Sequence, residues 1–201
     1  MAIVSYALTT VSRVKSRLNI ASGTTTWDAL LAELINGATD AIENMAGGRR
    51  FALTTYTQQV YSRSKGQKLI PLRHFPVTAL SAAQYRAGTP ATPAWTDFNT
   101  NDYELVEDGS TGVVAVYLEI AGINVLRFTY TAGYTINFTT GHTLPYDVSD
   151  MCERMVVKAF KKREAEGKSQ ESAQEGSISW EKEISETDKQ LLADLVRPFF
   201  A

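Results

Sequence analysis

The spacing of apolar residues changes twice along this chain, and that change limits the fold more than any other feature. Between residues 27 and 45 they recur every three or four positions, as on one face of a helix. From residue 51 to 135 the spacing is two, and the chain is rich in Thr, Tyr and Val. From residue 145 the helical spacing returns. The pattern predicts a β block inserted between helices.

Two helices are predicted before the β block. The first is short and lies within residues 9–19, where candidate caps precede Val11, Val14 and Leu18. The second begins near Trp27, and Thr25 and Asp28 have the spacing of a capping box. Gly47 and Gly48 are expected to end it, because glycine readily adopts the left-handed conformation found there.

Two more helices are predicted after the β block. Pro145 suits the first turn of a long helix. Its apolar stripe comprises Val148, Met151, Cys152, Met155, Val156, Ala159 and Phe160. Residues 164–177 then contain no bulky apolar side chain, so burial cannot offset chain entropy and a flexible arm is expected. A strand-like segment at 177–184 and a short helix after Ser185 complete the chain.

Residues 51–135 are expected to form about five or six strands, with residues 89–102 as a loop and turns at Asp108-Gly109 and Gly122. In the segment LIPLRHFPVTAL (69–80), Pro71 and Pro76 mark an edge or a bend, because proline cannot donate to a strand ladder. Pro76 is expected to start a strand.

The predicted fold class is α+β. It is a small helical bundle with an inserted antiparallel β block, either a small sandwich or barrel-like, and a flexible C-terminal arm. The predicted boundaries are 1–50 for the N-terminal helices, 51–143 for the β insertion, 144–166 for the long helix, and 167–201 for the arm with its short strand and helix.

No catalytic residue, metal site or cofactor site is predicted. The chain has no P-loop, no GxSxG and no HExxH. Its two histidines, His74 and His142, are far apart in sequence, and Cys152 is the only cysteine. His74 is interpreted as a structural residue next to Arg73 and Phe75. Cys152 is interpreted as a small buried hydrophobe.

Two charged groups allow more than one interpretation. Arg154, Lys158, Lys161 and Lys162 form a basic helix face, either simply solvated or in contact with DNA phosphates. The net charge of −2 gives no general electrostatic reason for wrapping nucleic acid. The acidic group Asp102, Glu104, Glu107 and Asp108 could supply paired carboxylates that cleave glycosides, but these residues flank a turn, and a solvated hairpin rim is the favoured interpretation. Trp180 either packs back on the core or anchors a partner.

Five segments in order resemble the head-tail connector, or adaptor, proteins of tailed bacteriophages. They are GGRRF (47–51), KLIPLRHFPVTALSAAQYRAG (68–88), LRFTYTAGY (126–134), LPYDVSDMCERMVVKAFKKRE (144–164) and EGSISWEKEISETDKQLLADLVRPFF (175–200). Ile70 stands where the family's L-x-L-x-x-x-P-V-T motif has its first Leu. Residues 89–125 are less typical of the family.

The resemblance implies a structural virion protein with no enzymatic activity and no cofactor. Its subunits would form a homo-oligomeric, twelvefold ring between the portal protein and a stopper or tail-completion protein. DNA would pass through the lumen without sequence specificity, during packaging and genome ejection. The implied location is the virion neck, after synthesis in the host bacterial cytoplasm, with no membrane association.

Two site hypotheses follow from this resemblance. Ser177, Ile178, Ser179 and Trp180 would belong to a portal-docking arm that adds a strand to a partner's edge. The basic face of Arg154, Lys158, Lys161 and Lys162 would line the DNA channel.

Two alternatives stay open. The first is another neck or tail-completion protein of the stopper type. The second is a carbohydrate-binding module on the β block, for which Trp95, Tyr103, Glu104 and Glu107 are the candidate residues.

Overall fold

The computed structural model describes residues 2–88, 93–166 and 186–196. The chain forms two compact units. The helical unit comprises Met1–Ala52 and Thr135–Arg197, and the β unit comprises Leu53–Tyr134. Helices and antiparallel strands are segregated, which confirms the predicted α+β class. The predicted flexible arm lies mostly outside the described residues.

The helical unit contains α1 (Val11–Leu18), α2 (Asp28–Met45), α3 (Tyr146–Glu166) and α4 (Glu186–Val196). The cap predicted for α1 is present, since the Thr10 hydroxyl accepts a hydrogen bond from the Arg13 backbone N–H at 3.4 Å. Asn19 ends the helix in the left-handed conformation.

The capping box predicted at Thr25 and Asp28 does not form. Trp27 is the N-cap residue of α2, and no side chain bonds the cap. The Asp28 carboxylate instead pairs with the ammonium group of Lys15, a side chain on α1 that is only 5% exposed. A buried ammonium group without a partner is costly, whereas water can satisfy the exposed backbone N–H groups of a helix N-terminus. Pairing with Lys15 therefore prevails over capping.

The apolar stripe predicted for α3 is buried throughout, as are Leu31, Ile35 and Ile42 on α2. Full burial of such a side chain contributes about 1.5–3 kcal/mol. Trp27 meets Phe160 edge-on, with ring centroids 5.6 Å apart. Gly47 and Gly48 both have positive φ just after α2, as predicted for its end.

Over the residues that the structure describes, the β unit has seven strands, one or two more than predicted. They are β1 (Thr54–Arg63), β2 (Leu69–Pro71), β3 (Val77–Gly88), β4 (Pro93–Asp97), β5 (Tyr103–Leu105), β6 (Val113–Val116) and β7 (Gly122–Ala132). A 3-10 turn, Val106–Gly109, lies between β5 and β6. All pairings are antiparallel, in a four-stranded sheet of order β1-β7-β3-β4 and a three-stranded sheet of order β2-β6-β5.

Both sheets supply side chains to one apolar core, which includes Ile70 and Val114 from the smaller sheet and Leu126 and Phe128 from the larger. Each described sheet has two open edges, so neither closes into a barrel. Of the two predicted forms, the small sandwich is the one observed.

The loop predicted over residues 89–102 is wrong in part. Its residues Pro93–Asp97 form β4, which pairs with the end of β3 so that Trp95 lies opposite Arg86. The prolines in this segment suggested a loop, yet proline is tolerated at the first residue of a strand and on an edge strand. Pro93 begins β4, and β4 is at the edge of its sheet.

The two prolines of the LIPLRHFPVTAL segment act as predicted. Pro71 ends β2, an edge strand, and Pro76 directly precedes β3 after a cis peptide bond. The turn predicted at Asp108-Gly109 is also present. There Gly109 has φ 82°, and a Cβ atom on it would lie 2.0 Å from the carbonyl oxygen of Val77.

Candidate functional site

The basic face predicted on α3 is present, and all four of its cationic side chains are exposed. Arg154 is held by two carboxylates. Its guanidinium contacts Asp150 at 3.0 Å, one turn earlier on α3, and Asp188 on α4 at 2.5 Å. Lys158, Lys161 and Lys162 continue the face toward the C-terminal end of α3.

Arg154 also belongs to a set of connected ion pairs, which we call the charge ladder. Its members are Arg13, Arg17, Asp150, Glu153, Arg154 and Asp188. Its centre is Glu153, whose side chain is 4% exposed. The Glu153 carboxylate accepts hydrogen bonds from Arg13 Nε at 2.6 Å and from the Thr9 hydroxyl at 3.0 Å, and it pairs with Arg17 Nε at 2.7 Å. The ladder joins α1 to α3, because each arginine of α1 meets a carboxylate of α3.

Arg17 is a residue of this surface that the sequence analysis missed. Its guanidinium also bonds Asp150, which is the carboxylate that holds Arg154. Arg17, Arg154, Val157 and Lys158 line an open depression of about 380 Å³. The available signal was the four-residue spacing of Arg13 and Arg17 on α1, which places both on one helix face.

The predicted docking residues Ser177, Ile178, Ser179 and Trp180 lie outside the described residues. The neighbouring helix α4 is described, and its Leu192 is 2% exposed. Helix α4 is therefore held in the helical unit by the burial of Leu192 and by the ion pair between Arg154 and Asp188.

His74 lies among aromatic side chains of the β unit. Its ring stacks on Tyr56 with centroids 3.5 Å apart, and its Nδ1 is 2.9 Å from the hydroxyl of Tyr130. The Tyr130 hydroxyl is also 2.9 Å from that of Tyr61. Burial is the main cause that raises the pKa of Tyr130 above its usual value, so this hydroxyl stays neutral. These contacts support the structural interpretation of His74.

Cys152 is fully buried on α3. Burial raises the pKa of its thiol to about 12, so the thiol is protonated at neutral pH. Only the thiolate is a strong nucleophile, and this cysteine therefore behaves as a small apolar residue.

Two of the residues considered for carbohydrate binding, Trp95 and Glu104, are engaged in other contacts and lie in different sheets. Trp95, on β4, is covered by the guanidinium of Arg127 at 4.4 Å from the ring centroid. Glu104, on β5, accepts a hydrogen bond from the hydroxyl of Tyr117. Asp102 bonds the backbone N–H of Asn99 at 3.2 Å, which stabilises the turn before β5.

The described residues contain neither a candidate metal site nor a membrane-spanning helix. No three His, Cys, Asp or Glu side chains there are grouped to hold a metal ion. No helix there is both long and apolar enough to cross a bilayer.

Comparison with known proteins defines the fold at the level of the whole chain. No protein-family profile and no curated protein match this sequence. Among solved structures, the chain is similar to one from the neck of an empty gene transfer agent particle computed with C6 symmetry, with a TM-score of 0.57 and 14% identity. That match covers 100% of this chain and 96% of the other.

A second similar chain comes from the virion of a native gene transfer agent particle. Its TM-score is 0.56 at 14% identity, and the match covers 100% of this chain and 94% of that one. The shared fold therefore extends over both units and is not confined to one of them.

Proposed function

We propose that this chain is a non-enzymatic structural protein of the virion neck, and specifically a head-tail connector (adaptor) subunit. The observation that carries the proposal is the fold shared over 100% of this chain with a chain of a gene transfer agent neck. The ordered motifs that resemble phage adaptors support the same assignment independently, because they were identified in the sequence alone.

In this proposal the subunits form a twelvefold ring beneath the portal protein, above a stopper or tail-completion protein. A ring needs heterologous contacts, in which one face of a subunit meets a different face of its neighbour. The C6 symmetry of the similar neck structure is compatible with twelve subunits, since six divides twelve. DNA passes through the lumen without sequence-specific contacts, and the protein requires no cofactor.

A stopper-like neck or tail-completion protein is the second candidate. It is favoured because the similar chain comes from a particle neck, and a neck can contain more than one ring. A carbohydrate-binding module is disfavoured, because Arg127 covers Trp95 and Tyr117 engages Glu104.

Electron microscopy of the purified chain mixed with its cognate portal rings tests the assignment. We expect additional twelvefold density on the face of the portal that points away from the capsid. Portal rings alone are the control. Binding only after another ring has attached to the portal would instead assign the chain to the stopper position.

The docking arm is a separate part of the proposal. Deletion of residues 168–201 should abolish portal attachment, but it also removes α4, whose Leu192 is buried. A sharper variant is Ile178→Ala with Trp180→Ala, which leaves α4 in place. Ile123→Ala, at an apolar side chain that is 79% exposed on the β unit, is the matched control. Attachment of the deletion variant at wild-type levels would contradict the arm hypothesis.

A further inference from the structure

The first turn of α4 places a carboxylate against the basic face of α3. Asp188 belongs to this turn, and its Oδ1 is 2.5 Å from Arg154 Nη2. The Asp188 side chain is only 13% exposed. One turn later, Leu192 is buried. Helix α4 thus delivers an anionic group to Arg154 on the basic face.

The cations around this contact are oriented before any ligand arrives. Asp150 pairs with both Arg17 and Arg154, and Glu153 pairs with Arg17. These carboxylates are 19% and 4% exposed, so they hold the guanidinium groups from the protein side. With Lys158 and Val157, the two arginines line the depression of about 380 Å³. A fixed guanidinium is well suited to bidentate contact with a phosphate.

The charges beyond the depression favour a polymeric anion. Lys158 follows Arg154 by four residues, and Lys161 and Lys162 follow Lys158 by three and four. With a helical rise of about 1.5 Å per residue, each step of four residues advances about 6 Å along α3. A row of exposed cations with this repeat matches a ligand with a repeated negative charge, such as a phosphodiester backbone.

Asp188 and a phosphate would both place negative charge against the guanidinium of Arg154, so they repel each other and compete for it. A bidentate contact with a guanidinium always uses at least one of its two terminal nitrogens. In Arg154, Nη1 bonds Asp150 and Nη2 bonds Asp188. Asp150 is held by Arg17 as well. Of the two carboxylates, Asp188 is the one carried by a separate short helix, so it is the one that a phosphate would displace.

We propose that the depression lined by Arg17, Arg154 and Lys158 binds a DNA backbone phosphate, and that Asp188 is its intramolecular competitor. The proposal rests on the connector function, because it deepens the assignment of the basic face to the DNA channel. In the conformation seen in the structure, Asp188 on α4 weakens the binding of DNA. Displacement of α4 exposes the complete phosphate site.

The test measures binding of the free full-length chain to a short fluorescent DNA duplex by anisotropy over a range of salt concentrations. Asp188→Asn removes the competing charge and should bind about twofold to fivefold more tightly, the effect of one surface ion pair. The slope of log K against log salt should steepen by about 0.9 for one added phosphate contact. Glu186→Gln is the matched control, since Glu186 is 88% exposed and pairs with Lys189 on its own helix.

A double-mutant cycle locates the effect. Arg154→Gln should weaken binding, and adding Asp188→Asn to it should bring no further gain. Equal affinities of Asp188→Asn and Glu186→Gln would overturn the proposal. An equal gain in affinity of Asp188→Asn for polyglutamate would also overturn it, because the site would then select acidic protein segments.

These outcomes are distinguishable from those for the connector function. The DNA titration contains no portal protein, and the ring experiment contains no DNA. Portal-bound ring density without an effect of Asp188→Asn rejects only the competition. An effect of Asp188→Asn without ring density rejects only the connector assignment.

Discussion

At the scale of single residues, the hydroxyl of Tyr130 adds to the contacts between β1 and the segment that joins β2 to β3. It lies within 2.9 Å of the Tyr61 hydroxyl on β1 and of His74 Nδ1 in the segment between β2 and β3. The Tyr61 hydroxyl in turn accepts a hydrogen bond from the Arg73 backbone N–H at 3.2 Å. The polar groups are therefore satisfied inside an aromatic cluster, as a buried network requires.

We expect Tyr130→Phe to lower the free energy of unfolding by about 1–3 kcal/mol, because it leaves buried polar partners without the hydroxyl. Urea-induced unfolding measures the change. The matched control is Tyr117→Phe, which removes the bond to Glu104 from a side chain that is 50% exposed. That variant should change the free energy of unfolding much less than Tyr130→Phe does, because the lost bond is open to water. Equal losses in both variants would contradict the role assigned to the network.

Glu43 is a second residue with a measurable consequence. It is 5% exposed on α2, and its carboxylate accepts a hydrogen bond from the Phe51 backbone N–H at 3.0 Å. Burial raises the pKa of Glu43 above its ordinary 4.5, against the opposing effects of this hydrogen bond and of Arg50. The folded chain therefore holds this proton more strongly than the unfolded chain does.

This raised pKa sets the sign of a pH effect. Protonated Glu43 stabilises the folded chain in full at pH values below the unfolded pKa. This stabilisation is lost as pH rises through the folded pKa. The free energy of unfolding of the wild type minus that of Glu43→Gln should accordingly fall as pH increases from below 4.5. Denaturant unfolding at several pH values measures this difference. Glu33→Gln, at an exposed position of α2, controls for removal of a negative charge. A flat or rising difference for Glu43→Gln would refute the assignment.

At the scale of elements, the charge ladder specifies how α1 packs on α3. Helix α1 is only eight residues long, too short to be stable alone, so its helical form depends on tertiary contacts. Val14 is the apolar side chain of α1 that is fully buried. Arg13 and Arg17 then fix the helix through Glu153.

Glu153→Gln should lower the free energy of unfolding by about 1.5–3 kcal/mol, since it removes the charge shared by two arginines. Both arginines are about one third exposed, so water recovers part of the loss. Thermal or urea unfolding measures the effect. Asp147→Asn, at an exposed position in the first turn of α3, should cost no more than about 1 kcal/mol. Similar losses in both variants would mean that the ladder adds nothing specific.

At the scale of the whole molecule, the basic face leads to a prediction in virions. If the basic face lines a DNA channel as proposed, reversing three charges with Lys158→Glu, Lys161→Glu and Lys162→Glu should disturb DNA retention or ejection, because the new carboxylates repel phosphate. Packaged DNA and infectivity measure the effect. Lys65→Glu with Lys68→Glu, in the exposed turn between β1 and β2, is the control. Normal packaging and infectivity of the triple variant would count against a channel-lining face.

The amino-acid sequence alone determined the features that depend on near neighbours in the chain. The apolar stripe of α3, the Thr10 cap and the glycines after α2 were all predictable, because helical periodicity and capping act over a few residues. The same holds for Pro76, whose effect on the start of β3 is local. The division into helices and an inserted β block follows from these local signals.

Only the tertiary structure decided the features that depend on which elements become neighbours. Asp28 pairs with Lys15 and not with a capping partner, because folding brings α1 against the start of α2. Strand β4 forms because β3 offers a free edge. Arg17 joins the basic face because Asp150 lies between it and Arg154. Local patterns carry no information on such contacts, since each joins residues that are distant in the chain or separated by a turn.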